Sequence, residues 1–507
     1  MQQPIQRRSA WLSANTTGRL FLIVFLLNGL STSADEPIRY AVGADVQVGD
    51  GRFAPYYFTS NTHGLASTKP NSGYLTAAVS READDSRRFD YAFGAELATS
   101  YANSSAIWIQ QLYASVNRRA LFLSIGSREY PSVLRNDALS SGSLVWSGNA
   151  RPIPQIRFGL SRFVAVPYTA GWLQLKFDGS YGRFTDNSWL RNNYGYYNDF
   201  ITTGAHYHQK SILFRSKESM RLVVTVGGEF AAQFGGHRRW YTNGMLYDDF
   251  KEKTTLKDYF TVLFPSKGGD NSNEGDQIYY YGNHIGAWHL TAEYKLAADR
   301  RLKGYFEWLF DDGSGIGKLN GGDGLWGLEY VGPKRSWLDG LVAEYLQTTN
   351  QSGPIHWAPD DFPGTLITPE ATGADNYYNN YFYNGWAHHG LALGSPLLRS
   401  PIYNGDGYLG FTDNRVRAFH VGASGHISPA LRYRIKASYR KGWGTPFAPL
   451  PSNSRAFASL VELSYAPTAL QGWSFTGRLG LDRGNSYTTG NSFGAAIAVV
   501  RTGLITK

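Results

Sequence analysis

The sequence predicts an all-β protein, a transmembrane antiparallel β-barrel of about 18 strands with one short helical element outside the strand series. Two observations lead to this fold class. Apolar and polar residues alternate in many segments along the 507-residue chain, and aromatic residues, 15% of the chain, recur at segment ends. Because alternate side chains of a strand point to opposite faces, each segment has one apolar and one ionic face. A membrane barrel directs the apolar face to lipid and the polar face to the lumen.

The alternation is clearest in five segments. In 171–184, for example, Leu173 and Leu175 lie on one face of the predicted strand, and Lys176 and Asp178 lie on the other. The other clear segments are 88–101, 287–296, 431–440 and 473–482. Weaker alternation predicts the remaining strands at 38–48, 74–81, 105–116, 119–128, 157–166, 200–213, 220–230, 303–311, 323–331, 339–348, 416–424, 457–465 and 492–502. Both signs of charge occur on the polar faces, which fits either a hydrogen-bonded network filling the lumen or a water-filled pore.

The N-terminus has the pattern of a secretory signal peptide. Three arginines precede the apolar run 20–27, and small residues follow it up to Ala34. This run is too short to cross a bilayer as a helix, which needs about 20 apolar residues. We therefore expect residues 1–34 to be a signal peptide and residues 35–507 to be an outer-membrane barrel with long extracellular loops. An uncleaved N-terminal anchor is the alternative.

Composition excludes several other classes of protein. The chain has no cysteine, which excludes disulfide scaffolds and thiolate metal sites. Its formal net charge is +9, and removal of the three arginines of the predicted signal peptide would lower it to +6. The basic residues are dispersed among acidic ones, so the charge pattern does not indicate a nucleic-acid partner.

One segment departs from the two-residue rhythm. In 254–264, Leu256, Tyr259 and Leu263 recur at helical spacing, and Pro265 follows. This pattern predicts a short amphipathic helix outside the strand series, on the periplasmic side or plugging the lumen. An irregular strand is the alternative interpretation.

Long irregular stretches separate several of the predicted strands. They are rich in glycine, proline, asparagine, aspartate and aromatic residues, and they lie at 129–156, 183–199, 231–253, 265–285, 349–415 and 441–456. Long loops of membrane barrels lie outside the cell, whereas the short turns lie in the periplasm. Their aromatic content favours ordered loops with a function.

The densest aromatic stretch, 377–389, is the candidate ligand site. Its aromatic rings alternate with asparagines. Aromatic faces pack on the C–H patches of sugar rings, and amides offer donors and acceptors to hydroxyls, which makes a carbohydrate the expected ligand. Trp357, beside His356, is a second candidate. The residues expected to contact carbohydrate are therefore Tyr381, Tyr383, Asn384, Trp386, His388 and Trp357. The alternative is that these aromatic residues pack the loops into the barrel mouth.

No motif predicts a metal, a cofactor or a catalytic centre. His388 and His389 are adjacent and point apart on an extended chain, and His206 and His208 share a strand face but lack a third ligand. Residues 311–324 resemble a phosphate loop only superficially, because Leu follows Gly-Lys, although calcium at Asp311, Asp312 or Asp323 stays open. Neither HExxH nor GxSxG occurs. We expect no metal, no cofactor and no enzymatic activity.

Two motifs resemble those of a known family. The stretch NEGDQIYYYGNHIGAWHL at 273–290 is similar to a motif of the capsule-assembly Wzi family of outer-membrane proteins, as is YYNNYFYNGWAHHGLALGSPLL at 377–398. The resemblance covers the chain from about residue 38 to the end. It implies an eighteen-stranded barrel, a small periplasm-side helical part, a lumen closed by loops, and a lectin-like role without catalytic residues. The C-terminus departs from many such barrels, since it ends in Lys507 rather than in an aromatic residue.

Together these observations predict a Gram-negative outer-membrane barrel that binds and organises capsular or other surface polysaccharide without catalysing a reaction. The expected partners are the polysaccharide, the outer-membrane lipid and the polysaccharide export machinery, and the expected state is a monomer. An outer-membrane channel for sugars or nutrients is the first alternative. A membrane-embedded hydrolase is the second.

Overall fold

The computed structural model describes residues 37–84, 86–270, 272, 276–277, 280–297, 299–311, 321–351 and 375–505. The predicted signal peptide and Trp357, with its neighbours, lie outside the described residues. No helix among the described residues is long and apolar enough to cross a membrane.

Strands dominate the fold. They are β1 Ile38–Gly49, β2 Ser72–Arg81, β3 Phe89–Tyr101, β4 Ile107–Arg118, β5 Leu121–Ser127, β6 Gln155–Leu160, β7 Val164–Ala165, β8 Leu173–Arg183, β9 Asp199–Thr203, β10 His206–Ser216, β11 Leu222–Phe234, β12 His237–Thr242, β13 Met245–Lys251, β14 Asn283–Lys295, β15 Arg301–Asp311, β16 Gly324–Val331, β17 Gly340–Gln347, β18 Ala387–His388, β19 Leu391–Ala392, β20 Val416–Ser428, β21 Leu431–Gly444, β22 Pro449–Tyr465, β23 Trp473–Gly484 and β24 Ser492–Ile505. Eighteen of them, all except β7, β9, β12, β13, β18 and β19, form a closed antiparallel barrel.

The barrel closes through its first and last strands. Strand β1 pairs with β24 over its whole length, from Ile38 opposite Ile505 to Gly49 opposite Gly494. Closure removes the free edges of the sheet, so every barrel strand has two hydrogen-bonded neighbours. The predicted fold class and the predicted number of strands are confirmed.

The two faces of the wall have the predicted polarity. Val46, Ile125 and Leu328 point outward and leave 58%, 58% and 57% of their surface exposed, whereas Asp45 and Gln47 point inward and are buried. An exposed apolar exterior around a polar interior is the pattern of a barrel in lipid. The protein is therefore an outer-membrane β-barrel.

All long connections lie at one end of the barrel. The turns on the side of the chain termini are short, as at 119–120 and 429–430, whereas the opposite end carries the long connections 128–154, 235–282 and 348–415. In membrane barrels the short-turn end faces the periplasm and the long-loop end faces the outside.

Among the described residues, the long loops contain all the elements that stand outside the barrel except β7, which lies in the connection between β6 and β8 at the short-turn end. These are the helices α1 Tyr56–Thr59, α2 Asn187–Asn193 and α3 Leu256–Leu263, the 3₁₀ turn Pro401–Tyr403, the three-stranded sheet β9–β12–β13 and the hairpin β18–β19. Helix α3 confirms the helix predicted in 254–264. The periplasm-side helical part implied by the family resemblance is absent from the described residues, because all three helices belong to the long-loop end.

Four stretches differ from the prediction. The strand expected at 157–166 is divided, because β6 ends at Leu160 and β7 is separate. The single strand expected at 200–213 is two strands in different sheets, β9 and β10, because the chain leaves the extended conformation at Gly204, whose φ is 70°. The expected loop 441–456 consists mainly of strand, since β21 and β22 extend toward each other and leave only the turn 445–448. The expected loop 231–253 contains the hairpin of β12 and β13.

Candidate functional site

Two long loops fold back into the barrel. Residues 129–154 and 375–411, which we call the loop plug, share one buried cluster with inward-facing strand residues. Its largest members include Tyr377, Tyr378 and Trp386 from the loops and Tyr207 from β10. Burial of such rings contributes about 1.5–3 kcal/mol each relative to exposure, so the plug forms a core of its own inside the wall.

Two glutamates of the wall hold the first half of the plug in place. Glu307 on β15 accepts hydrogen bonds from the backbone N–H of Leu144, at 2.9 Å, and from the guanidinium of Arg135. Glu344 on β17 accepts a bond of 2.7 Å from the backbone N–H of Ser141. Buried carboxylates are stable in such a position only when they are paired and hydrogen-bonded. Of the two arrangements predicted for the charged residues of the lumen, this part of the lumen contains the hydrogen-bonded network.

The two halves of the plug are joined through Trp386. Its side chain has 0% exposure, and its indole N–H donates a bond of 2.9 Å to the carbonyl of Val145. Its ring centroid lies 6.1 Å from that of Tyr207 on the wall. Trp386 was expected to contact carbohydrate, but a fully buried side chain cannot do so in this structure. The alternative interpretation, packing of the loops into the barrel mouth, applies to this residue.

His388 is also buried. The backbone N–H of Thr185 donates to its Nε2 over 3.3 Å, so Nδ1 carries the proton and donates to the carbonyl of Arg151 over 2.9 Å. Burial is the largest cause of the lowered pKa of His388, which favours this neutral form. Both ring nitrogens are occupied by protein partners, and a contact of His388 with carbohydrate is therefore not supported.

Tyr383 and Asn384 attach the plug to the loops around it. The buried Tyr383 donates its hydroxyl to Asp276 over 3.3 Å. The side-chain oxygen of Asn384 accepts from the backbone N–H of Thr202 over 3.1 Å, while its amide donates to the carbonyl of the same residue. These bonds make both side chains positioning groups, and because Asn384 is only half-buried, its contact with carbohydrate stays a prediction.

Tyr381 is the one described candidate that faces solvent. It is 66% exposed, and its ring centroid lies 5.4 Å from that of Trp240 on β12. The ring centroid of Phe200 on β9 lies 6.1 Å from that of Trp240, and the ring centroid of Phe382 lies 5.3 Å from that of Tyr381. We call Phe200, Trp240, Tyr381 and Phe382 the aromatic platform.

One arginine and one aspartate lie beside the aromatic platform. Arg238 stacks on the ring of Phe382 at 4.7 Å and donates to Asp248 over 2.7 Å. The sheet register explains this grouping, because Arg238 and Trp240 lie on one face of β12 and Trp240 is paired with Phe200 and with Asp248. The platform thus presents flat apolar rings next to charged hydrogen-bonding groups, which suits a ligand with C–H patches and hydroxyls.

Of the four platform residues, only Tyr381 was predicted from the sequence to contact carbohydrate. Trp240 and Arg238 lie in a stretch that was expected to be irregular, 231–253. Their two-residue spacing places both side chains on one face of a strand, and this spacing could have indicated that the two residues act together.

A polar cavity of about 350 Å³ lies within the lumen beside the plug. Its walls include Arg157 and Asp178, which form an ion pair, and the loop residues His63, Glu129 and Asp137. Burial is the largest cause of the raised pKa of Glu129 and of Asp137, and it lowers the pKa of His63. Each of these shifts favours the neutral form of its side chain.

One group of possible metal ligands lies near this cavity. Glu229, His289 and Glu307 offer ligand atoms within 4.8 Å of one another. However, Arg135 already pairs with Glu307, and Gln209 donates to Glu229. The donor set is thus part of the luminal network. Of the three calcium candidates, Asp311 is buried and Asp312 lies outside the described residues. Asp323 is buried and accepts backbone bonds from Asn350 and Gln351.

Comparison with known proteins supports the fold. No protein-family model matches the chain, and no curated protein sequence matches it. Among solved structures, the chain is similar to Wzi of Escherichia coli, an outer-membrane protein involved in group 1 capsule assembly and a carbohydrate-binding β-barrel. The identity is 12% over 97% of this chain and 89% of that chain, with a TM-score of 0.53.

Other solved structures also match, with lower TM-scores. OccK5 (OpdH) of Pseudomonas aeruginosa is 12% identical over 93% of this chain and 99% of that chain, with a TM-score of 0.45. OccD1 (OprD) is 10% identical over 93% and 96%, with a TM-score of 0.44. At 12% identity, the likeness to Wzi supports the β-barrel fold alone, and membership of the capsule-assembly family stays a prediction.

Proposed function

We propose that this outer-membrane barrel binds and organises capsular or other surface polysaccharide at the cell surface, without catalysing a reaction. The observation that carries the proposal is the aromatic platform at the long-loop end. Phe200, Trp240 and the Arg238–Asp248 pair lie on a small sheet, and the hydroxyl of Thr202 on that sheet donates to the carbonyl of Phe382, so the surface is preorganised. The carbohydrate-binding activity of Wzi, the similar barrel, agrees with this choice of ligand.

The plug supports a binding role over a transport role. Loops that share a hydrophobic core with the wall provide a rigid base for an external surface. A long polymer offers many copies of its repeat, so that weak contacts at one surface add through effective concentration.

Binding of purified, detergent-folded protein to a panel of capsular polymers tests the proposal. We expect binding by the wild type and about a fivefold weaker affinity for Trp240→Ala, because one aromatic contact is worth roughly 1 kcal/mol. Tyr168→Ala is the matched control, since Tyr168 is fully exposed but lies at the short-turn end. Equal loss in both variants, or binding that survives Trp240→Ala unchanged, would refute the platform as the site.

A channel for sugars or nutrients is the second candidate function. The polar luminal cavity favours it, because ion-paired and hydroxyl-bearing walls suit a hydrated solute. Planar-bilayer recording separates the two functions. Steady conductance that a neutral sugar blocks supports the channel, whereas a silent barrel that still binds polymer supports the surface role.

A further inference from the structure

Polar side chains occupy one part of the lipid-facing wall. On β10, Tyr207 points into the lumen, so the even-numbered residues point outward. From the short-turn end upward these are Phe214, Ile212, Lys210, His208 and His206, of which the last three are polar. Polar and ionisable groups on the outer face of a membrane barrel are costly unless something covers them.

Helix α3 covers this part of the wall from outside. Val262 on the helix has 0% exposure and packs with Ala232 and Phe234, which are outward residues of β11. His208 beneath the helix is only 2% exposed. The helix predicted for the periplasm or the lumen therefore lies in neither place, but on the outer surface of the barrel near the long-loop end.

Hydrogen bonds fix the middle and the C-terminal end of α3 to the wall. Tyr181 on β8 donates its hydroxyl to the carbonyl of Tyr259 over 2.7 Å. Lys210 donates to the carbonyl of Leu263, in the last turn, where a cation also interacts favourably with the helix dipole. The N-terminus has a capping box formed by Thr255 and Asp258.

The side of α3 that faces away from the wall is apolar. Leu256 and Phe260 are 81% and 66% exposed, and Phe264, directly after the helix, is 72% exposed. On a helix, residues 256 and 260 lie opposite residue 262, so the exposed stripe points away from the barrel. Lys251, Lys253, Lys257 and Lys267 flank this stripe and are also exposed.

The helix lies at the depth of the membrane. Lys210, which holds its C-terminal end, is six residues from the short-turn end of β10. At about 3.3 Å per residue and a tilt near 40°, this places Lys210 about 15 Å up an apolar band that is about 25 Å tall. Exposed apolar residues of the wall, Ile212 and Val226, continue the stripe of α3 toward the barrel middle.

We propose that the exposed stripe of α3, formed by Leu256, Phe260 and Phe264, is buried among the acyl chains of the outer leaflet. The helix thereby shields the polar part of the wall from lipid and anchors the loop 235–282 in the membrane. The flanking lysines lie where anionic head groups are found, which fits the charge of such an interface. A second copy of the chain or another protein on this stripe is the competing occupant.

Single-cysteine labelling tests this placement directly, because the chain has no cysteine of its own. Phe264→Cys carries a bimane fluorophore in phosphatidylcholine vesicles, and quenching by nitroxide-labelled acyl chains is compared with quenching by aqueous iodide. Leu328→Cys on the lipid-facing side of β16 is the control for lipid, and the exposed Asp406→Cys on an external loop is the control for water.

We expect acyl-chain quenching at Phe264→Cys to equal that at Leu328→Cys, and iodide quenching to be far weaker than at Asp406→Cys. Leu256→Cys should be less quenched by acyl chains than Phe264→Cys, because the helix descends toward Lys210. Strong iodide quenching at Phe264→Cys would overturn the proposal in favour of an aqueous loop. Protection from both quenchers would overturn it in favour of a protein partner.

Discussion

The loop plug and the aromatic platform are built from neighbouring residues and have opposite exposures. Trp386 and Tyr383 are buried and bonded within the protein, whereas Tyr381, two residues before Tyr383, is 66% exposed beside Trp240. The difference teaches that an aromatic-rich stretch is not one functional unit. Its buried members contribute stability and its exposed members contribute a surface, and a mutation should affect one property or the other.

The largest expected effect is on the plug. Trp386→Ala should lower the free energy of unfolding by about 3–5 kcal/mol, because it removes a large buried side chain and leaves a cavity. Denaturant unfolding in detergent measures this loss. Trp337→Ala is the control, since Trp337 is 73% exposed, and it should change stability by no more than about 0.5 kcal/mol. A similar loss in both variants would contradict the distinction between buried and exposed rings.

The next effect is a pH dependence of stability at Asp323, whose backbone partner Gln351 is bonded to Tyr377 of the plug. Burial is the largest cause of the raised pKa of Asp323, from 3.8 to about 6, although its carboxylate accepts bonds from the backbone of Asn350 and Gln351. Because the folded pKa exceeds the unfolded one, the stabilisation is complete below about pH 4 and is lost as the pH rises through 6, a total of roughly 3 kcal/mol.

Hydrogen exchange of the Asn350 and Gln351 amides, corrected for intrinsic rates, should show less protection at neutral than at acidic pH. Asp323→Asn should flatten this dependence, because it removes the titrating group. A variant that retains the slope would assign it to another residue.

A smaller effect is expected where the plug meets the platform. Asn384→Ala removes two bonds to Thr202 and should cost about 1–2 kcal/mol in stability. It should also weaken polymer binding, although less than Trp240→Ala does, since it loosens the platform without removing a ring. Affinity and unfolding are measured on the same preparation. Weaker binding with unchanged stability would make Asn384 a contact residue after all.

The smallest effect should follow from Tyr381→Phe. The ring remains, and the platform depends on stacking, so the affinity should change by no more than about twofold. Tyr381→Ala, by contrast, should weaken binding nearly as much as Trp240→Ala. A large loss in Tyr381→Phe would show that the hydroxyl, rather than the ring face, makes the contact.

The barrel itself was predictable because its signal is local. Each strand carries its own alternation, and the alternation in 431–440 or 473–482 needs no knowledge of the rest of the chain. The extension of β22 to Pro449 was missed because proline and glycine favour turns, yet proline is tolerated at the first residue of a strand.

The site was less predictable because exposure in a loop depends on contacts distant in sequence. Trp386 is buried by Val145, 241 residues away, and nothing in the stretch 377–389 distinguishes it from Tyr381. The same limit applies to β10, where His208 and Lys210 occupy lipid-facing positions that only α3 explains.

The pairing of β1 with β24, which closes the barrel, constrains the order of folding. Its twelve paired positions join the start of the described chain to its end, so the wall cannot become a complete cylinder until the final strand has been synthesised. Until then both strands would offer unpaired backbone groups. Enclosure of the plug by a complete wall consequently depends on the two ends of the described chain meeting.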